Sequence, residues 1–229
     1  MVYKLKFRNI LLFSLGFVLC TIIGTLSHEL GHAFMAKYLG YKPTLHFNST
    51  EYVNDDITEY RKLERDKKEN KTSTNHGNYD LLKQKILVDR FWITLAGPLQ
   101  TIVFGTISFL ILIFFYSKNK NTFPFWFFTY LSLFWMRQPF VFFHSLITGL
   151  QHGLQYPLGG DEYKLSAYLR IWPGTIGLIL AIIGIVIVGI IFKKIIPRNQ
   201  NLEFIISTVI GCCLGYLLWM KWLGPTILS

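Results

Sequence analysis

The stretch that decides the fold reads ILLFSLGFVLCTIIGTLSHELGHAFMA and covers residues 10–36. Its first part, Ile10 to Leu26, is apolar and approaches the about 20 residues that a helix needs to cross the core of a bilayer. His28, Glu29 and His32 follow directly, and such residues are costly in lipid unless they pair or bind a metal ion. The stretch therefore predicts a membrane helix that carries a polar site near one end.

The composition of the chain agrees with a membrane protein. Of its 229 residues, 52% are apolar and only 16% are charged, whereas a soluble domain usually contains about 25% charged residues. Of the 36 acidic and basic side chains, 20 lie between Lys37 and Arg90. This pattern excludes a disordered chain and an ordinary soluble domain. The net charge of +10 lies on no recognisable nucleic-acid-binding module, so we expect no nucleic-acid partner.

Four further apolar runs predict a bundle of five or six membrane helices. These runs cover residues 91–116, 123–150, 173–192 and 202–223. Pro139 lacks a backbone N–H, so it should kink or split the second of these runs. The predicted fold class is all-α, a polytopic membrane helix bundle.

The predicted domain organisation is simple. We expect residues 1–229 to form a single membrane-embedded domain, within which residues 41–87 form one polar extramembrane loop or lid. The protein should be a multi-pass integral membrane protein, and we expect it in a bacterial cell membrane. The charge distribution leaves its topology open, and the sequence leaves its oligomeric state open.

The chemistry-bearing motif is H-E-x-x-H at residues 28–32. On a helix, His28 and His32 are one turn apart, so both imidazole rings lie on one face and can bind the same metal ion. Glu29 stands beside the first histidine, where its carboxylate can act as general base on a water that the metal activates. Neutral imidazole ligands suit Zn²⁺, so the motif predicts a zinc site with Glu29 as the catalytic residue.

A catalytic zinc ion usually has three protein ligands, so a third ligand must come from elsewhere. We favour Asp161, because Gly159 and Gly160 before it allow the backbone to approach the site closely. Asp161 also suits the N-cap of a short helix through Tyr168, and the two roles are compatible. Less favoured candidates for the third ligand are Glu162, Glu51, Asp55, Asp56, Glu59, His144 and His152.

Arg137 and Gln138 interrupt an apolar run, and an ionisable residue inside a span is a functional hypothesis by default. The guanidinium group of Arg137 can stabilise an oxyanion or pair with Asp161. A cation that caps helix carbonyl groups near Pro139 is an equally good interpretation. Gln138 belongs to the same polar cluster, and it is a candidate for the same two functional roles, to stabilise an oxyanion or to support the metal ligands from behind.

Two motifs resemble those of the site-2 protease family of intramembrane zinc metalloproteases. The first, His28-Glu29-Leu30-Gly31-His32-Ala33 followed by Ala36 and Gly40, resembles the family's zinc-binding motif. The second, Ala96-Gly97-Pro98-Leu99, resembles its A-G-P element, and Asp161 stands where the family has its third ligand. The resemblance extends over roughly residues 10 to 170. The chain lacks the asparagine of the family's N-x-x-P…L-D-G motif.

The resemblance implies a zinc protease that hydrolyses peptide bonds in or near membrane-spanning helices of substrate proteins. His28, His32 and Asp161 would bind zinc, and Glu29 would be the base. The expected partners are a membrane-protein substrate and the lipid bilayer. The missing asparagine motivates an alternative, a catalytically altered metal-binding scaffold or transporter of the same fold. A different membrane H-E-x-x-H protease class, with a glutamate as third ligand, is the remaining alternative.

Overall fold

The structure is a computed structural model that describes residues 5–69, 76–116, 122–152 and 159–228. It is 84% helical with a minimal sheet, which confirms the predicted all-α bundle. Helices and strands follow in the order α1 (Phe7–Tyr38), β1 (Lys42–Leu45), β2 (Thr50–Val53), α2 (Asp55–Lys68), α3 (His76–Phe115), α4 (Phe123–Ser132), α5 (Arg137–His152), α6 (Asp161–Tyr168), α7 (Thr175–Ile190), α8 (Asn201–Leu217) and α9 (Gly224–Ile227).

Four helical segments among the described residues are long and apolar enough to cross a membrane. They are Phe7–Tyr38, Tyr79–Phe115, Thr175–Ile195 and Arg198–Ile227. The predicted count of five or six is higher because residues 123–150 do not form one continuous helix. That run is divided into α4, a 3₁₀ turn at Leu133–Met136, and α5.

The break in this run lies just before Pro139 rather than at it. Pro139 is the third residue of α5, in the first turn, where a missing N–H costs no intrahelical hydrogen bond. Gly184 of α7 packs against the break, since a Cβ there would lie 2.8 Å from both Pro139 Cδ and the carbonyl oxygen of Trp135. The prediction that the run is split is confirmed, and the split places Arg137 at the start of a helix.

Within residues 41–87, the structure describes an antiparallel hairpin, helix α2 and the first turns of α3. Asn54 caps α2, because its side-chain oxygen accepts a hydrogen bond from the backbone N–H of Ile57 at 2.9 Å. Ile57 packs in an apolar cluster with Ala36, Tyr41, Ile86 and Ile93, which fastens this segment to α1 and α3. The assignment of residues 41–87 as an extramembrane loop or lid stays a prediction.

The hydroxyl group of Tyr41 adds a polar link at the same place. It donates a hydrogen bond of 2.7 Å to the carboxylate of Asp89 on α3. Burial, and secondly the neighbouring Asp89 carboxylate, raise the pKa of the Tyr41 hydroxyl. Tyr41 therefore stays a neutral donor that ties the chain before β1 to α3.

Helix α1 is held in the bundle mainly by α8. Gly211 and Gly215 let the two backbones approach closely, since a Cβ on Gly211 would lie 2.5 Å from the carbonyl oxygen of Ser14.

The turn of the hairpin is held by the end of the described chain. Phe47 donates its N–H to the carbonyl of Leu228 at 3.1 Å and accepts from the indole of Trp219 at 2.8 Å. The turn of the hairpin is thus fixed to the C-terminal part of the described chain.

Candidate active site

The H-E-x-x-H motif lies inside α1 and is buried. The exposed fractions of His28, Glu29 and His32 are 3%, 7% and 8%. As the helical spacing predicts, the two rings lie on one face, with their Nε2 atoms 3.2 Å apart. One ligand atom from each of the three side chains lies within 4.8 Å of the others. The motif therefore presents a compact group of metal-binding atoms.

Asp161 completes this group from another helix. Its Oδ2 lies 2.9 Å from Nε2 of His28 and 3.2 Å from Nε2 of His32. Gly160, with φ of +102°, turns the chain into α6, and this region of backbone conformation favours glycine. Gly160 is the N-cap of α6 and Asp161 is its first residue, so the N-cap lies one residue earlier than predicted. The helix does end at Tyr168, as expected.

The environment of Asp161 keeps its carboxyl group ionised. Burial raises the pKa of Asp161, but hydrogen bonds to His28 and His32 lower it by more, and the result lies well below its usual range. An ionised carboxylate is the form that binds a metal ion. The Asp161 side chain is therefore in a metal-binding state at ordinary pH.

The three atoms fit a tetrahedral zinc ion. Their separations of 2.9, 3.2 and 3.2 Å are close to the roughly 3.3 Å between two ligands at about 2.0–2.1 Å from a tetrahedral centre. Nδ1 of His32 lies 2.6 Å from the carbonyl oxygen of Ile93. A proton on Nδ1 that donates to this carbonyl leaves the lone pair of Nε2 for a metal ion. The donor set suits zinc, and so does the tautomer of His32 in which Nδ1 carries the proton.

Gly97 lets helix α3 pack directly against the histidine rings. A Cβ at this position would lie 2.7 Å from Cε1 of His28 and closer still to the ring of His32. Gly31 plays the same role from α1, because its Cβ would lie 2.7 Å from the carbonyl oxygen of Ala96. The A-G-P element therefore stands at a close approach of α1 and α3, where a side chain larger than that of glycine would collide with the histidine rings.

Glu29 is held by a residue that the sequence reasoning missed. Thr50, the first residue of β2, places its hydroxyl 3.0 Å from the carboxylate of Glu29 and 2.9 Å from its backbone carbonyl. The single hydroxyl proton is shared between these two acceptors. No spacing in the sequence links Thr50 to Glu29, because the hairpin alone brings them together. The one available signal was the proximity of the polar segment to the motif.

Arg137 lies beside the same group. Its Nη1 donates to Oε1 of Glu162 at 2.9 Å, and its Nη2 lies 2.9 Å from Nε2 of His28 and 3.8 Å from Oδ2 of Asp161. Glu162 therefore faces the guanidinium group. Gln138 makes no described hydrogen bond to the site, and it faces a small cavity on the other side of Glu162.

The other candidate ligands are engaged elsewhere or lie outside what the structure describes. Asp56 pairs with Lys85, Glu51 lies 3.9 Å from His46, and His144 stacks on the ring of Phe140. Asp55 stands in the first turn of α2 and Glu59 lies on the same helix. The side chain of His152 and the residues 153–158 before the glycine pair lie outside the described part.

Comparison with known proteins gives one result. The family model of Peptidase family M50 matches residues 16–210, a range that includes most of α1 together with Thr50, Gly97, Arg137 and Asp161. No individual curated protein and no solved structure matches the chain. The match covers most of the chain and agrees with the resemblance of the two motifs. The chain therefore belongs to Peptidase family M50, the site-2 protease family of zinc metalloproteases.

Proposed function

We propose that this protein is an intramembrane zinc metalloprotease that hydrolyses peptide bonds in or near membrane-spanning helices of substrate proteins. The observation that carries the proposal is the convergence of Nε2 of His28, Nε2 of His32 and Oδ2 of Asp161 within 3.2 Å. Membership of the family and the four apolar helices support it. We place the protein in a bacterial cell membrane as part of the same proposal.

In this proposal, His28, His32 and Asp161 hold the zinc ion. When bound there, zinc supplies Lewis-acid chemistry, which lowers the pKa of a water toward about 7 and polarises a carbonyl group. His28 and His32 are buried and the side chain of Asp161 is only 14% exposed, which limits competition from bulk water. The hydrogen bond between His32 and the Ile93 carbonyl keeps the ring oriented.

Glu29 moves the proton. Its carboxylate takes a proton from the attacking water as the water oxygen bonds to the carbonyl carbon of the scissile peptide. It returns that proton to the amide nitrogen as the C–N bond breaks, so the products are a carboxylate-ended and an amine-ended fragment. Thr50 holds the carboxylate by a hydrogen bond of 3.0 Å, which restricts its rotation before and during the transfer.

Arg137 stabilises the charge that develops on the carbonyl oxygen of the substrate. Nη1 is engaged by Glu162, whereas Nη2 points at Nε2 of His28. With a metal ion held by His28, this Nη2 donor would be available to a substrate oxygen. A fixed donor aimed at such an oxygen is worth about 10²–10³ in kcat. Arg137 thus supplies a hydrogen-bond donor beside the site in a chain that lacks the asparagine of the family's motif.

Cleavage by the reconstituted full chain tests this proposal. A panel of labelled single-span peptides is incubated with zinc-loaded wild type, Glu29→Gln and, as a matched control on α2, Glu64→Gln. We expect wild type and control to cleave and Glu29→Gln to keep its zinc but lose cleavage. Wild-type activity in Glu29→Gln would refute the role of this residue.

The alternative is a metal-binding scaffold or transporter of the same fold, which the missing asparagine motivates. The position of Arg137 weakens this alternative, because it supplies a hydrogen-bond donor beside the site. Zinc-loaded wild type that cleaves no peptide of the panel would favour the alternative.

A further inference from the structure

A small cavity is lined by Glu162 but not by His28 or His32. Its volume is about 20 Å³, and its polar lining comes from Gln138, Ser145, Glu162 and Tyr163. A cavity needs roughly 10–15 Å³ to hold one water molecule. The cavity therefore has room for a single water.

The side chains around the cavity have unsatisfied hydrogen-bonding groups. Gln138 is 2% exposed and Glu162 is 3% exposed. Among the described residues, no partner exists for Oε1 or Nε2 of Gln138 or for Oε2 of Glu162. Buried polar atoms without a partner are rare in proteins, and an ordered water is a common explanation. Three such atoms around one cavity satisfy the requirement of a buried water for two to four polar partners.

We propose that one water molecule is bound between Gln138 and Glu162, and that these two residues are positioning residues for Arg137. The water donates one hydrogen to Oε2 of Glu162 and accepts another from Nε2 of Gln138. Gln138 thereby acts from behind the site, rather than on the substrate oxygen as its place in the sequence suggests.

The connection to the site runs through Glu162. Its Oε1 accepts from Nη1 of Arg137 at 2.9 Å, and Nη2 of the same guanidinium lies 2.9 Å from His28. A carboxylate that is bonded through one oxygen only still rotates about its terminal torsion angle. A water on the second oxygen removes that freedom, so it fixes the direction of the guanidinium group.

The walls of the cavity are tied together, which keeps its volume defined. Ser145 of α5 donates a hydrogen bond of 2.8 Å to the carbonyl oxygen of Gly159, next to the turn that begins α6. Gln138 stands on α5 and Glu162 on α6, so this bond links the helix of one water-binding residue to the turn before the helix of the other.

A high-resolution crystal structure of the full chain in a lipidic phase tests the water. The comparison uses wild type and Gln138→Met, a change that keeps the volume but removes both polar atoms. We expect one water within hydrogen-bond distance of Glu162 in wild type and none in the variant, where the Arg137 guanidinium adopts more than one position. An empty wild-type cavity, at a resolution that shows other buried waters, would overturn the inference.

Kinetics test the positioning role, and this part rests on the proposed function. We expect Gln138→Met to lower kcat about 10-fold, with KM and zinc content unchanged. Gln151→Met, on the exposed face of the same helix, should leave kcat unchanged. In an Arg137→Lys background, where the fork of donors is absent, Gln138→Met should have no further effect.

The two failures are distinguishable. If wild type cleaves and Gln138→Met is as active, or if its effect persists in full beside Arg137→Lys, the positioning role is wrong and the proposed function stands. If wild type cleaves nothing, the proposed function fails, and the crystallographic comparison alone decides the water and the position of Arg137.

Discussion

The substitution Asp161→Asn distinguishes between two roles of this residue, that of a metal ligand and that of a carboxylate with a structural function only. The substitution keeps the size of the side chain but removes its negative charge and replaces one oxygen by a nitrogen that cannot bind zinc. The affected atom is Oδ2, at 2.9 and 3.2 Å from the two imidazole nitrogens. Because Gly160 fixes the turn before α6, the asparagine keeps the same backbone position.

The expected loss of zinc affinity follows from the position of Oδ2 among the three candidate ligand atoms. Residues that only orient a metal ligand cost about 10–100-fold in affinity when they are changed. A residue that supplies one of three ligands should cost at least the upper end of this range, about 100-fold. At 1.36 kcal/mol for each factor of ten, this is about 2.7 kcal/mol or more of zinc-binding free energy.

Competition with a chromophoric chelator measures this affinity in detergent-solubilised full chain. Asp80→Asn is the matched control, because it makes the same chemical change at an exposed position of α3. We expect control and wild type to agree within about 3-fold. A zinc affinity in Asp161→Asn similar to that of wild type would refute the assignment of Asp161 as the third ligand. It would also show that neither the turn at Gly160 nor the short distances between the three donor atoms identify a zinc ligand.

Three further substitutions test other contacts of the site. Gly97→Ala should weaken zinc binding at least about 10-fold, because its Cβ would collide with both histidine rings; Gly189→Ala, with open space around it, should change nothing. Thr50→Val should lower cleavage about 10-fold through the lost hydrogen bond to the catalytic carboxylate, with zinc content unchanged, whereas Thr44→Val should be neutral. Arg137→Gln should tighten zinc binding about 10-fold, since it removes a cation from beside the metal site. The same variant should lower kcat by at least about 100-fold. A loss of zinc affinity together with the loss of kcat would contradict this role of Arg137.

Much of the fold follows from local sequence patterns. The spacing of His28 and His32 requires only a helix to bring both rings together, and the apolar runs give the all-α class directly. The exact position of the break in the run at residues 123–150 could not be predicted as well. Pro139 signals a break, but proline is accommodated in a first helical turn, so the helix begins at Arg137 and the 3₁₀ turn lies before it.

At the site, some contacts between residues that are far apart in the sequence could not be predicted. Asp161 was accessible because two glycines precede it, although their role differs from the predicted close approach: Gly160 supplies a positive φ of +102° and Gly159 has open space around it. Thr50 was not, because its contact with Glu29 depends on the register and docking of a hairpin. Gln138 follows Arg137 directly, and successive residues of a helix point about 100° apart. Sequence alone therefore grouped the two, whereas only Arg137 reaches the histidines.

X-ray absorption at the zinc edge, on purified wild-type protein, tests the central claim most directly. We expect about one zinc ion per chain, with two imidazole nitrogens at about 2.0–2.1 Å, a carboxylate oxygen at about 2.0–2.2 Å and no sulfur ligand. A sulfur shell at about 2.3 Å, which only cysteine ligands such as Cys20 or Cys212 would supply, or a protein that binds no zinc, would contradict it.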